Sequence, residues 1–110
     1  MIKVTIYADA DGTFTGFDMN GHAEYAEAGS DIVCAAVSML CINTMNAIES
    51  FTEDYMICET DEAGAGIMFR LPKGTTHDTQ LLLKTMILGL QGIEDNSEYE
   101  PYIDIIFEEV

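Results

Sequence analysis

A thiol becomes a nucleophile at neutral pH when a base takes its proton and its surroundings favour the thiolate. Residues 21–38, GHAEYAEAGSDIVCAAVS, offer a candidate for each need: His22, directly after Gly21, and Cys34, at the expected start of a helix. Unpaired N–H groups and the helix dipole at such a start stabilise a thiolate, and the same N–H groups could hold the oxyanion of an acyl transfer. Asp31 opposes a thiolate by Coulomb repulsion unless it faces away or orients His22. Ser38, one turn beyond Cys34 on the same side, can hydrogen-bond near the thiol, or bond the preceding turn of its own helix as helical serines often do. The stretch from Ala23 to Ser30 is bounded by Gly21 and Gly29, which suits a loop hinged at both ends; an ordinary surface loop is the plain alternative.

Structural readings of the same residues stand beside these. Cysteine is among the most buried residue types, so each thiol can be simple packing. Cys41, about two turns beyond Cys34 on a similar face, and Cys58 fit that reading. His77 falls in the first turn of a second expected helix and receives no role. His22, Asp31 and Cys34 lack the usual zinc-ligand spacings, so no metal is expected, and no cofactor motif is present. An odd number of cysteines without a CxxC pair argues against a disulfide framework and for a reducing, cytoplasmic setting.

The elements that must position these residues follow from periodicity. Ile2, Val4, Ile6 and Ala8 alternate with Lys3, Thr5 and Tyr7, the pattern of a half-buried strand. Asp9-Ala10-Asp11-Gly12 reads as a turn, and Phe17 and Met19 alternate in a second strand that Asn20-Gly21 ends. Ser30 or Asp31 is the expected N-cap of a helix over about 31–50. Ile32, Val33, Ala36, Val37, Leu40, Thr44, Met45 and Ile48 recur along it at helical spacing, leaving it apolar around most of its girth. Residues 55–59 and 65–71 form a second hairpin. Thr75 or Thr76 caps a helix to about Ile93, with Leu82, Thr85, Met86, Gly89, Leu90 and Ile93 as its apolar stripe; Gly89 lets a neighbour approach closely. A last strand covers 102–107. The order β-β-α-β-β-α-β predicts one α+β domain over residues 1–110, two layers deep, with two long helices on one face of a mostly antiparallel sheet.

Composition bounds the partners. Twenty acidic against four basic residues give a net charge of −16, spread over both halves: −6 in residues 1–50 and −10 in 51–110. Phosphate backbones would be repelled, which excludes direct nucleic-acid binding, whereas a basic partner would be drawn in. The N-terminus does not read as a signal peptide, and the apolar run from Ile32 to Ile42 is shorter than a bilayer requires, so no membrane is expected.

The quoted segment closely resembles the signature of the ribosomal-processing cysteine proteases, the Prp family. Gly21-His22-Ala23 matches its GHA motif and Asp31-Ile32-Val33-Cys34-Ala35-Ala36 its DIVCAA motif, with Gly29 and Ser38 also in pattern. The resemblance implies a catalytic dyad of His22 and Cys34 and an endopeptidase acting through a thioester. Its substrate would be a basic precursor, the large-subunit ribosomal protein numbered twenty-seven, losing an N-terminal extension. It also implies a cytoplasmic homodimer, which an apolar first helix would suit. A second class of function is an acidic thiol module that binds or senses oxidants, with Cys34 oxidised and not acylated.

Overall fold

In a computed structural model, which describes residues 1–21, 28–61 and 66–110, the expected order of elements is present. Strands β1 (Ile2–Ala8) and β2 (Phe14–Asn20) precede helix α1 (Ala28–Phe51). Strands β3 (Ile57–Thr60) and β4 (Gly66–Arg70) precede helix α2 (His77–Glu94). A 3₁₀ turn, Glu100–Tyr102, leads into β5 (Ile103–Glu109). The sheet has the order β3-β4-β2-β1-β5 and is antiparallel except where β5 lies parallel to β1. The chain must cross the domain through α2 to return in that parallel sense, as parallel pairing requires.

The first turn is held as its sequence predicts. The Asp9 carboxylate accepts from the N–H groups of Asp11 and Thr13 at 2.9 and 3.0 Å, and Gly12 takes a φ of +82°. Alternation then sorts the strands. Ile2, Val4, Ile6, Phe17, Met19, Ile67, Phe69 and Ile103 point to the helices and are buried, and Phe17 stacks on Phe69 with ring centres 5.1 Å apart. Among the described residues no helix covers the other face of the sheet.

α1 contributes Val33, Val37, Cys41, Thr44, Met45 and Ile48 to the core, and α2 contributes Thr79, Leu83, Met86, Ile87 and Leu90. The helices run antiparallel. Thr79, early in α2, lies 3.3 Å from Thr52 just past the end of α1, hydroxyl to hydroxyl, while Gly89 meets Leu40 near the middle of α1. A Cβ at Gly89 would sit 3.2 Å from two Leu40 methyls, so this glycine is the point of close approach.

Several expectations are corrected. α1 begins at Ala28, ahead of the expected caps Ser30 and Asp31, and Gly29 is its second residue and not the end of a loop. Ile32 and Thr85 are exposed; Leu83 and Ile87 take core positions that the expected α2 stripe omitted. Thr76 is the N-cap of α2 by position, but its hydroxyl donates to Asp54 at 2.9 Å and not to its own helix. The segment Asp31–Phe51 is long and apolar enough to cross a bilayer, which the shorter run had argued against; its inner face is the core of this fold.

Candidate active site

The two ends of the sheet differ in what gathers there. β1 and β5 start, β2, β3 and α2 finish, and α1 begins at one end, which we call the site end. At this end Gly21 closes β2 with a φ of +111°, and a Cβ there would overlap the Met1 carbonyl oxygen, so only glycine lets the chain turn against the start of β1. The next residue is His22, and residues 22–27 lie outside the described residues. The expected hinged loop falls mostly on them.

Cys34 is the seventh residue of α1, half-buried against the core. This corrects its expected place in the first turn: a residue that far into a helix has its own N–H within the intrahelical ladder, so the Cys34 N–H is not a donor to an oxyanion. Asp31, Cys34 and Ser38 follow one another at intervals of three and four and therefore share a face of the helix. Asp31 is exposed; Ser38 is half-buried, its hydroxyl 3.8 Å from the Met19 sulfur on β2. That face looks away from Leu40 and α2, toward the β4 and β3 side of the sheet.

The three thiols separate by environment. Burial pushes the Cys41 thiol up to about 12, which leaves it protonated and inert at neutral pH. Cys58, on the edge strand, is also raised, by partial burial first and then by the charge of Glu49. Of the two histidines, His77 opens α2 at the opposite end, exposed and 3.2 Å from Asp78. From Cys34 to that end of the helical layer is about 25 Å at 1.5 Å per residue. His77 therefore cannot reach Cys34, and His22 is the other histidine of the chain.

The open sheet face carries features that the sequence reading missed. Asp18 accepts from Arg70 at 2.8 and 3.1 Å and from the Tyr7 hydroxyl at 2.7 Å, and the guanidinium lies 4.6 Å from the centre of the Tyr7 ring. Burial acts to raise the Asp18 carboxyl, but the hydrogen bonds from Arg70 and Tyr7 outweigh it and hold it below its ordinary value. The signal was the register: β1, β2 and β4 place Tyr7, Gly16 and Arg70 in one cross-strand row, and Gly16 leaves the room that Arg70 fills. Among the described residues no cluster of histidine, cysteine and carboxylate side chains is arranged to hold a metal ion.

Comparison with known proteins gives a consistent result. A model of the Cysteine protease Prp family matches residues 1–104. The Ribosomal processing cysteine protease Prp of Staphylococcus aureus is 36% identical over 95 residues, which are 86% of this chain and 90% of the relative. The Bacillus subtilis protein of the same name is 33% identical over 98 residues, covering 86% and 88%. The crystal structure of the S. aureus protease with a covalently linked product peptide superposes with a TM-score of 0.86 at 34% identity, covering 98% of this chain and all of that one.

Proposed function

The chain belongs to the Prp family of ribosomal-processing cysteine proteases, and from that premise we propose that Cys34 is its nucleophile and His22 its general base. The observation that carries the assignment is the sorting of thiols and histidines. Cys41 is locked in the core, Cys58 is raised by burial and by Glu49, and His77 stands at the far end of the helical layer. Cys34 is left half-exposed at the end where β2 delivers the chain to His22.

His22 takes the Cys34 proton, and the thiolate attacks the scissile carbonyl. The tetrahedral intermediate collapses as the protonated His22 gives its proton to the leaving amine, forming a thioester and freeing the C-terminal fragment. Water, losing a proton to His22, hydrolyses the thioester and restores the thiol. A product peptide covalently linked to the S. aureus relative supports a covalent route. Asp31 and Ser38, on the same helix face as Cys34, are placed to orient the base or the substrate. Gly21 fixes the strand end from which the intervening segment departs, and Gly29, inside the first turn of α1, would act as a hinge only if that turn opens.

The substrate in this reading is the precursor of large-subunit ribosomal protein twenty-seven, whose N-terminal extension is removed in the cytoplasm. Its basic body is attracted to a chain of net charge −16. Pairing of two copies has a suitable surface: Ile32, Met39 and Ile42 on α1 and Leu81 and Leu88 on α2 are exposed apolar residues of the helical layer. The test is cleavage of the extended ribosomal protein, followed by mass spectrometry. The wild type should make one defined cut, and Cys34→Ala should lower the rate by about 10⁴-fold or more without loss of fold. Retained turnover by Cys34→Ala would remove the assignment.

A further inference from the structure

The two edges of the sheet are not equally guarded. Along β5, the Ile105 N–H turns away from β1 and donates to the Glu94 carboxylate, at the end of α2, at 3.3 Å. β3 is the other edge, and all of its residues, Ile57–Thr60, are exposed. The hydrogen bond from the Asp61 N–H to the Gly66 carbonyl, at 2.9 Å, fixes the phase of its ladder. Antiparallel pairs alternate between bonded and unbonded, so the bonded pairs are Ile57 with Arg70 and Glu59 with Met68. The N–H and C=O groups of Cys58 and Thr60 therefore point outward, and among the described residues no hydrogen bond reaches them. Beside this edge, on the face of the sheet away from the helices, Tyr7, Ile57, Arg70, Leu71, Pro72 and Val110 line a mostly apolar groove of about 510 Å³. Ile57 is its wall on the side of the free edge.

We propose, resting on the reading of Cys34 as a processing nucleophile, that the β3 edge takes an extended stretch of the substrate chain as a sixth strand. An unpaired edge is a template for backbone pairing, and pockets for alternate side chains add selectivity. Here the backbone offers Cys58 and Thr60, and the groove takes an apolar side chain of the added strand that lies opposite Ile57. Placement favours the substrate. A protease must hold its target as open, extended chain, and the Cys34 face of α1 looks to the β3 and β4 side of the sheet. The exposed apolar residues that suit pairing of two copies lie on the helical layer and leave this edge free. The charge of Glu49 is felt at Cys58, and Glu49 lies about 22 Å beyond Cys34 along α1. Thr60 is about 7 Å closer to the site end, which leaves about 15 Å, or four to five residues of extended chain. The edge therefore holds the substrate at a distance from the bond that is cut.

The experiment reads binding without turnover. The Cys34→Ala protein is titrated by fluorescence anisotropy with a fluorescein-labelled peptide, Gly-Thr-Phe-Thr-Val-Thr-Lys. Two counterparts are compared with it, one N-methylated at its five central residues and one with serine for phenylalanine. The first peptide should bind more tightly than either, and than the methylated one by about tenfold or more, since N-methylation removes several backbone bonds. Thr60→Pro takes away the outward N–H and leaves the ladder to β4 intact, as proline on an edge strand can. It should weaken the first peptide about tenfold and leave the methylated one unchanged. The unlabelled, extended ribosomal protein should displace the labelled peptide. Thermal melting checks the variant, and the methylated peptide decides the matter if Thr60→Pro is not folded. Equal affinity for the first peptide and either counterpart, no effect of a folded Thr60→Pro, or no displacement by the ribosomal protein overturns the proposal. So does sedimentation that shows a dimer reduced to a monomer by Thr60→Pro, which would give the edge to a second copy. Because no bond is cut, such failure leaves the cleavage assay standing, and failure of the cleavage assay leaves the peptide titration readable.

Discussion

The two ends of the helical layer are held by different chemistry. At the far end, Asp54 accepts from the Thr76 N–H at 2.8 Å and from the Thr76 and Thr75 hydroxyls at 2.9 and 3.5 Å, tying the segment after α1 to the start of α2. Gln80 adds a two-point bridge to the sheet, accepting from the Phe14 N–H at 2.9 Å and donating to the Phe14 carbonyl at 2.7 Å. At the site end, among the described residues, α1 meets the sheet through Val33, Val37 and the long Ser38 to Met19 contact, and α2 through Glu94 accepting from the Ile105 N–H at 3.3 Å. Hydrogen bonds specify direction and apolar packing does not. The polar clasp of the far end therefore fixes how the helices sit on the sheet, whereas the contacts of α1 described at the site end are chiefly apolar.

The sharpest way to break this division is Gly21→Ala. A methyl there meets the Met1 carbonyl at a φ that L residues rarely adopt, so the cost is about 2–4 kcal/mol from strain and displacement. Because the displacement falls directly before His22, the proposed base, activity per folded molecule should drop about tenfold or more. Urea unfolding and the kcat/KM of the folded fraction check the two effects separately. Asp54→Ala should do the reverse: it should lower stability by about 1–3 kcal/mol by removing the clasp, while kcat/KM stays within about twofold because the change is a helix length from Cys34. The hydroxyl of Thr79 above all, then the N–H and hydroxyl of Thr76 and the hydroxyl of Thr75, hold the Asp54 carboxyl below its ordinary value against partial burial. A depressed carboxyl stabilises the fold above its unfolded pKa of about 4, and that contribution fades as pH falls through the lower folded value. The stability gap between wild type and Asp54→Ala should accordingly be full at neutral pH and narrow below about pH 4, as urea titrations at each pH would show.

How far the sequence carried the fold depended on which signals were local. Alternation in β1 and β2, the Asp9 to Gly12 turn and the helical spacing of Val33, Val37, Met45 and Ile48 are properties of a few adjacent residues, and the structure bears them out. The start of α1 was misplaced because Ser30 and Asp31 are good caps that the longer helix overrode, and the consequence was chemical: Cys34 moved out of the first turn. Leu83 and Ile87 were missed because the second helix is apolar on two sides, so periodicity alone cannot say which side meets the sheet. The row of Tyr7, Gly16 and Arg70, and the groove beside it, depend on strand order and register, which no local pattern in those strands encodes. The motif residues were legible because Gly21-His22-Ala23 and the stretch around Cys34 are specific in themselves; the pairing of His22 with Cys34 is a matter of distance.

The smallest expected effect sets two glycines of α2 against each other. Gly89 and Gly92 carry the same propensity penalty, and replacing an exposed helical glycine by alanine gains about 0.5–1 kcal/mol. At Gly92 nothing lies within 4 Å of the new methyl, so Gly92→Ala should realise that gain in a urea titration with activity unchanged. At Gly89 the methyl would press on two Leu40 methyls at 3.2 Å, where ordinary contact is looser, and Leu40 must turn aside. The propensity gain is then offset by crowding between the helices, and Gly89→Ala should fall about 0.5–1 kcal/mol short of Gly92→Ala. If instead both variants gain equally, Leu40 moves freely, and the seam between α1 and α2 is looser than the antiparallel packing of the two helices implies.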